Sequence, residues 1–228
     1  MSDLLGPCDF HFRDAVCGFF EIATDGARRI VPERLEPLEH CHGRSVLAVI
    51  AFDFHGGHVG PYVEVVLAIV VAPVLKAGRP MPHSAMYPFL LGTSTAEARE
   101  HGSAHYHLPY YQPDVDISFH LDDDEATASV SAAEPVLDLT VTRARAAPSQ
   151  TVRRHYQLFS ARKSELYVAD VYVSGELMEH EEETGGIVLH RHEFSALLDD
   201  ADVSSWPFRE QWMKSGTETY YPVVSFDR

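Results

Sequence analysis

Lysine is scarce in this chain: 228 residues hold only Lys76, Lys163 and Lys214, against fifteen arginines. Lys76 sits in Leu75-Lys76-Ala77-Gly78-Arg79-Pro80, which reads as a turn. Lys163 falls in the polar hairpin candidate Ala161-Arg162-Lys163-Ser164-Glu165, and Lys214 precedes Ser215-Gly216 near the C-terminus. None occupies a strand with buried-looking neighbours, so none reads as a desolvated, nucleophilic amine. Cysteine is equally sparse. Cys8, Cys17 and Cys41 are too few and too irregular for a disulfide framework or a Cys-rich zinc site, and read as free thiols. Cys17 falls on a strand near Arg13, whose guanidinium would favour a thiolate, but no histidine partner is evident.

Long apolar runs are also missing. The longest, Val63 to Leu75, is interrupted by Glu64 and Pro73 and is too short to span a bilayer. The opening Met1-Ser2-Asp3 is acidic and carries no signal-peptide pattern, so a cytoplasmic location is expected. Positive charge is in deficit: the formal net charge of −16 argues against nucleic acid and anionic membrane as partners. What remains is ordinary globular composition, 45% hydrophobic and 23% charged, without repeats or a linker. One domain over residues 1–228 is the economical reading.

The pattern is mainly β. Strands are expected at Cys17–Ala23, Ser45–Phe54, Val63–Val71, Ala85–Leu91, Val115–Leu121, Ala126–Ser131, Thr151–Ser160, Leu166–Gly175 and Gly186–His192, from their Val, Ile, Phe and Tyr content. Helices are expected at Asp25–Ile30 and Ser94–His101, the latter with Thr93 or Ser94 as N-cap and Glu97 completing a capping box on Ser94. A late helix is expected at Glu193–Asp200. Asp122-Asp123-Asp124-Glu125 reads as a turn without EF-hand spacing, and Glu179 to Glu183 as a solvated loop or strand end.

Fourteen histidines is a high count. If the chain is extended there, His105 and His107 share a face, which permits chelation with His101, His120 or Glu64 as third ligand. No constraining metal motif occurs, and no bound metal is expected. Proton-shuttling and merely structural histidines both remain open readings.

Four motifs in order resemble the acetoacetate decarboxylase family: His11-Phe12-Arg13-Asp14, Ala27-Arg28-Arg29-Ile30-Val31-Pro32-Glu33-Arg34-Leu35-Glu36, Gly60-Pro61-Tyr62-Val63-Glu64, and Gly102-Ser103-Ala104-His105-Tyr106-His107-Leu108-Pro109-Tyr110-Tyr111. The likeness covers about residues 9 to 132. It implies an antiparallel β-barrel or cone with a few peripheral helices, an internal ligand cavity and a homo-oligomer. In that family the proline of the last motif is followed by two lysines. The first captures the substrate ketone as an imine, and the positive charge of the second lowers its pKa. Here both positions are tyrosine.

The resemblance places Arg13 in the pocket, facing a substrate carboxylate, and Glu64 as the residue orienting the reacting group. A second family glutamate corresponds to Val49. A phenol cannot supply the electron sink that decarboxylation through an imine needs, so no acetoacetate decarboxylase activity is expected. Glu64, Tyr110 and Arg13 are the candidate catalytic residues; Tyr62, His105, His107, Tyr111 and Val49 are candidates for binding substrate. A tyrosine pair in the core and a structural Arg13–Glu64 ion pair are the bland alternatives. The expectation is a cofactor-free enzyme acting by acid–base chemistry (cyclisation, dehydration or isomerisation) on a small keto or polyketide-like substrate, in specialised metabolism. A non-catalytic carrier or sensor on the same barrel is the alternative.

Overall fold

The computed structural model describes residues 6–75, 77–78, 80–113, 115–143 and 149–226. In chain order its elements are β1 (Cys8–Ala23), α1 (Thr24–Ile30), β2 (Glu39–Cys41), β3 (Arg44–Gly57), β4 (Tyr62–Val71), β5 (Ser84–Thr93) and α2 (Ala96–His105). There follow β6 (Asp116–Leu121), β7 (Glu125–Ser131), β8 (Pro135–Thr142), β9 (Gln150–Arg162), β10 (Glu165–His180) and β11 (Gly186–Leu189). A 3₁₀ turn (Ala196–Leu198), β12 (Val203–Tyr220) and β13 (Val224–Ser225) complete the chain.

Strands β1, β12, β10, β9, β5, β4 and β3 pair in that order, and β3 pairs back onto β1, closing a barrel. Closure removes the exposed edges that an open sheet would leave. The barrel is mixed rather than purely antiparallel, because β5 and β9 run parallel where they meet at Ser84–Met86. A second sheet, β11-β8-β7-β6, covers the outside of one wall.

This layering explains the apolar run in β4. Val66, Ala68 and Val70 turn into the barrel, while Val65, Leu67, Ile69 and Val71 turn outward against the second sheet's Leu137, Leu139 and Val141. A strand covered on both faces loses the alternation of a half-solvated one.

Several expected boundaries shift. The first strand begins at Cys8, not Cys17. Helix α2 is capped by Thr95, whose Oγ1 accepts from Ala98 N at 3.3 Å, and runs to His105. Ser94 is instead occupied outside the helix, where its Oγ accepts from Val63 N at 2.9 Å. The late helix contracts to the 3₁₀ turn, and the strand expected to reach His192 stops at Leu189. Strands β8 and β12 are not anticipated by the sequence pattern at all. β12 contains Pro207, Lys214 and Gly216, and owes its extended form to pairing with β1 on one side and β10 on the other. Its proline falls where the β1 register shifts, a site that tolerates a missing N–H.

Lys214 therefore does lie on a strand with buried neighbours, Met213 and Gly216, contrary to expectation; its Nζ sits 4.8 Å over the Trp212 ring. Lys163 is in the two-residue turn between β9 and β10, at φ +59°. Lys76 and Arg79 of the expected turn at residues 75–80 lie outside the described residues. Among the described residues no helix is long and apolar enough to cross a membrane.

Candidate active site: a buried carboxyl pair inside the barrel

Glu64 points into the barrel from the start of β4 and is 3% exposed. The loop after α2 delivers Tyr110 to it. Tyr111 N donates to Leu91 O at 2.8 Å and Leu91 N to Pro109 O at 3.3 Å, an isolated parallel bridge that fixes which tyrosine turns inward. Tyr110 O–H then donates to Glu64 Oε2 at 2.5 Å. Tyr111 faces the other way, its hydroxyl reaching Glu193 Oε2 at 3.3 Å and its ring packing on Phe194.

A second carboxyl completes the group. Glu218 of β12 is 5% exposed, interacts with the Glu64 charge and accepts a hydrogen bond from Tyr220. Sequence reasoning missed it because the whole of β12 was missed. Once that strand is recognised, Glu218 and Tyr220 stand two residues apart on one face, which is a readable signal. Tyr62 and Tyr106 close the recess, with the Tyr106 and Tyr220 rings 4.6 Å apart.

Burial decides the protonation states. It pushes the Glu64 carboxyl up to about 7, against the opposing pull of the Tyr110 hydrogen bond. Burial first, and the Glu64 charge second, raise Glu218 well above the usual carboxylate range. The same two causes hold Tyr110 far above an ordinary phenol. Near neutrality the recess therefore contains one carboxyl poised to exchange a proton, a second whose protonated form is favoured by burial, and neutral phenols.

The recess adjoins an apolar chamber of about 80 Å³, walled by residues such as Phe52, Val66, Ala68, Met86 and Val171. A lining that is mostly apolar with a few polar groups is the kind that receives small organic ligands. Glu218, Tyr220 and Leu108 border both spaces.

Other expected site residues lie elsewhere. Arg13 is not in the pocket: at an irregularity in the β1–β3 pairing it turns outward, its side chain is 61% exposed, and it pairs with Asp53 at 2.9 Å. The Arg13–Glu64 ion pair is thereby excluded. Val49 is fully buried but on the outer face of β3, packed under the second sheet; the residue opposite Glu64 is Phe52. His105 and His107 share no strand face, because His105 ends α2 and His107 adopts φ +57° against Tyr167. Neither borders the recess or the chamber. His101 does border the recess, and burial lowers it to about 4, so it is neutral at pH 7. His120 sits on the exposed β6. Among the described residues no three His, Cys, Asp or Glu side chains are grouped to hold a metal ion. Cys17 borders the chamber, but burial raises its thiol far above the ordinary value, so it is not a thiolate.

No protein-family model and no curated protein sequence matches the chain. Among solved structures, an acetoacetate decarboxylase superposes with TM-score 0.71 at 18% identity, covering 97% of this chain and 89% of its own. The enduracididine biosynthesis enzyme MppR, complexed with pyruvate, gives 0.66 at 11% identity, covering 96% and 90%. An acetoacetate decarboxylase-like enzyme from Sphingomonas wittichii RW1 gives 0.63 at 14% identity, covering 97% and 92%. The chain thus has the acetoacetate-decarboxylase-like fold, with a tyrosine hydrogen-bonded to a buried glutamate where the sequence resemblance puts the imine-forming lysine.

Proposed function

We propose that this protein is an enzyme that performs acid–base chemistry, without an imine, on a small uncharged or keto substrate: enolisation leading to cyclisation, dehydration or isomerisation. The observation that carries the proposal is Glu64, held near pH 7 by burial, bonded to Tyr110 and set beside Glu218, a second carboxyl whose protonated form burial favours. A base titrating near the working pH combines adequate ionisation with adequate basicity. In the proposed step, ionised Glu64 removes a proton from the carbon next to a carbonyl. Glu218 and Tyr110, both neutral donors, are available to stabilise the enolate oxygen in a site shielded from water. Proton return to a different atom gives isomerisation; expulsion of a β-hydroxyl gives dehydration; attack on a second carbonyl gives ring closure.

A structure of MppR on this scaffold holds the condensation product of pyruvate and imidazole 4-carboxaldehyde, which makes carbonyl compounds a reasonable ligand class here. A place in specialised metabolism fits this reading. The test is exchange in D₂O, followed by NMR, with a panel of aliphatic ketones and 1,3-diketones. Enzyme-dependent exchange at the α-carbon, lost in Glu64→Gln, is expected. Full exchange by a folded Glu64→Gln variant sinks the proposal.

One observation favours a carrier instead. Both acidic groups already have internal partners, Tyr110 for Glu64 and Tyr220 for Glu218. Tight binding of a ketone with no exchange would select that reading.

A further inference from the structure

The recess has a member that the proposed step leaves unused. His101 of α2 borders it together with Glu64 and Tyr62 of β4, Tyr106 and Tyr110 of the loop after α2, and Glu218 and Tyr220 of β12. Its Nε2 is buried and makes no hydrogen bond to any described residue. A buried ring nitrogen without a partner carries an uncompensated desolvation cost. The recess has about 10 Å³, close to the least that holds one water-sized group. A group held there borders both His101 and Glu64.

Behind His101 the polar groups continue to the surface. His105 is one turn further along α2, its ring 4.6 Å from that of His101, and His58, in the turn between β3 and β4, lies 5.7 Å away. His105 is half-buried and His58 exposed. The rings of Phe10 and Tyr106 flank the imidazole at 5.9 and 5.7 Å. Burial first, then the charges of His105 and His58, keep His101 neutral at pH 7. A neutral imidazole has one N–H and one lone pair, so it can take a proton at one nitrogen and release one from the other. The four phenols are poorer carriers, because burial holds them above the ordinary range and makes the phenolate costly. On the opposite side the chamber walls are mainly hydrocarbon, which an isolated charge does not cross.

We infer that His101 is a proton relay between Glu64 and solvent, working through a water-sized group in the recess on its inner side and past His105 and His58 on its outer side. The proton that leaves the Glu64 carboxyl is taken up at the inner ring nitrogen, and another leaves from the outer one. Return of the ring to its first tautomer completes the cycle, and the carboxylate is ready to act again. Passing a proton from a group near 7 to one near 4 costs about a thousandfold in population. The step stays far faster than an ordinary turnover of about 10 per second. This deepens the proposed function and rests on it only for the use to which the proton is put.

The test reads the Glu64 proton itself, without substrate, from the side-chain carboxyl carbon in protein labelled with ¹³C-glutamate, the line being assigned by its loss in Glu64→Gln. Through the titration near pH 7 the wild type should show one averaged line. In His101→Ala proton exchange should slow by about 100-fold or more, so that separate protonated and ionised signals trade intensity, and added imidazole should merge them again. His101→Gln, similar in size and unable to relay, should split the line too if the alanine variant does not fold. A merely structural role would move the midpoint or the stability and leave the averaging intact. Separate lines in the wild type, a wild-type line that does not move with pH, an averaged line in a folded variant, or split lines that imidazole leaves split would each overturn the inference. The proposed function fails separately: His101-dependent averaging without α-proton exchange on any ketone removes the catalysis and leaves the relay standing.

Discussion

The ring of Tyr110 lies directly over the backbone of Gly102, so close that a Cβ there would meet the ring carbon Cε2 at 2.4 Å and the phenol oxygen at 2.8 Å. Eight residues apart in sequence, the two form one unit. The helix supplies the floor on which the tyrosine rests, and the tyrosine reaches Glu64 from it.

Gly102→Ala should therefore disturb the site and not merely the helix. Alanine gains up to about 1 kcal/mol of helix propensity, but overpacking costs about 1–3 kcal/mol, and the ring cannot retreat without leaving Glu64. Thermal unfolding should show a net loss, reversed in a Tyr110→Ala background. Equal effects in the two backgrounds would refute the coupling.

Glu64 makes stability depend on pH. Its folded value, about 7, lies above the ordinary carboxyl value of 4.5, so the unfolded chain releases this proton first. The contribution is whole below pH 4.5, declines as pH rises to about 7, and is gone above. Relative to Glu64→Gln, the wild type should lose about 3 kcal/mol across that window, at 1.36 kcal/mol per unit of pKa. Denaturant titrations of both proteins at pH 4.5, 6 and 7.5 would measure it. A constant difference would show that Glu64 ionises normally.

Tyr110→Phe removes the hydrogen bond that holds Glu64 down. The pH midpoint of α-proton exchange should move above 7, and the plateau rate should fall by about 10–100-fold as the base loses its positioning partner. An unchanged midpoint would mean that the short contact has no electrostatic consequence.

Borohydride reduction in the presence of acetoacetate should leave the protein's mass unchanged, since the inward-facing position next to Glu64 holds a phenol. A covalent increment mapping to Lys76, Lys163 or Lys214 would overturn the imine-free chemistry.

The sequence is most legible where local chemistry and burial agree. The β4 run, the α1 helix and the tyrosine substitution next to Pro109 can be read from residues alone, as can the inward turn of Glu64 once the Gly60–Glu64 motif is aligned. It is least legible in β12, where Pro207, Lys214 and Gly216 conceal a strand stabilised by two neighbours. Arg13 defeats a sequence-based placement because the irregularity between Phe12 and Asp14 in the β1–β3 pairing re-aims a side chain without leaving a local trace.

By itself the sequence determined that this is a mainly β chain, strongly acidic, with phenols where amines would be needed for imine chemistry. Those are properties of residue type, order and charge, and no fold can alter them. Only the tertiary structure decided that Tyr110 and not Tyr111 meets Glu64, that Glu218 arrives beside it from a strand 154 residues away, and that burial leaves one of the two carboxyls able to titrate near neutrality. Desolvation and mutual repulsion depend on what surrounds a group in space, and that is set by barrel closure rather than by neighbours along the chain.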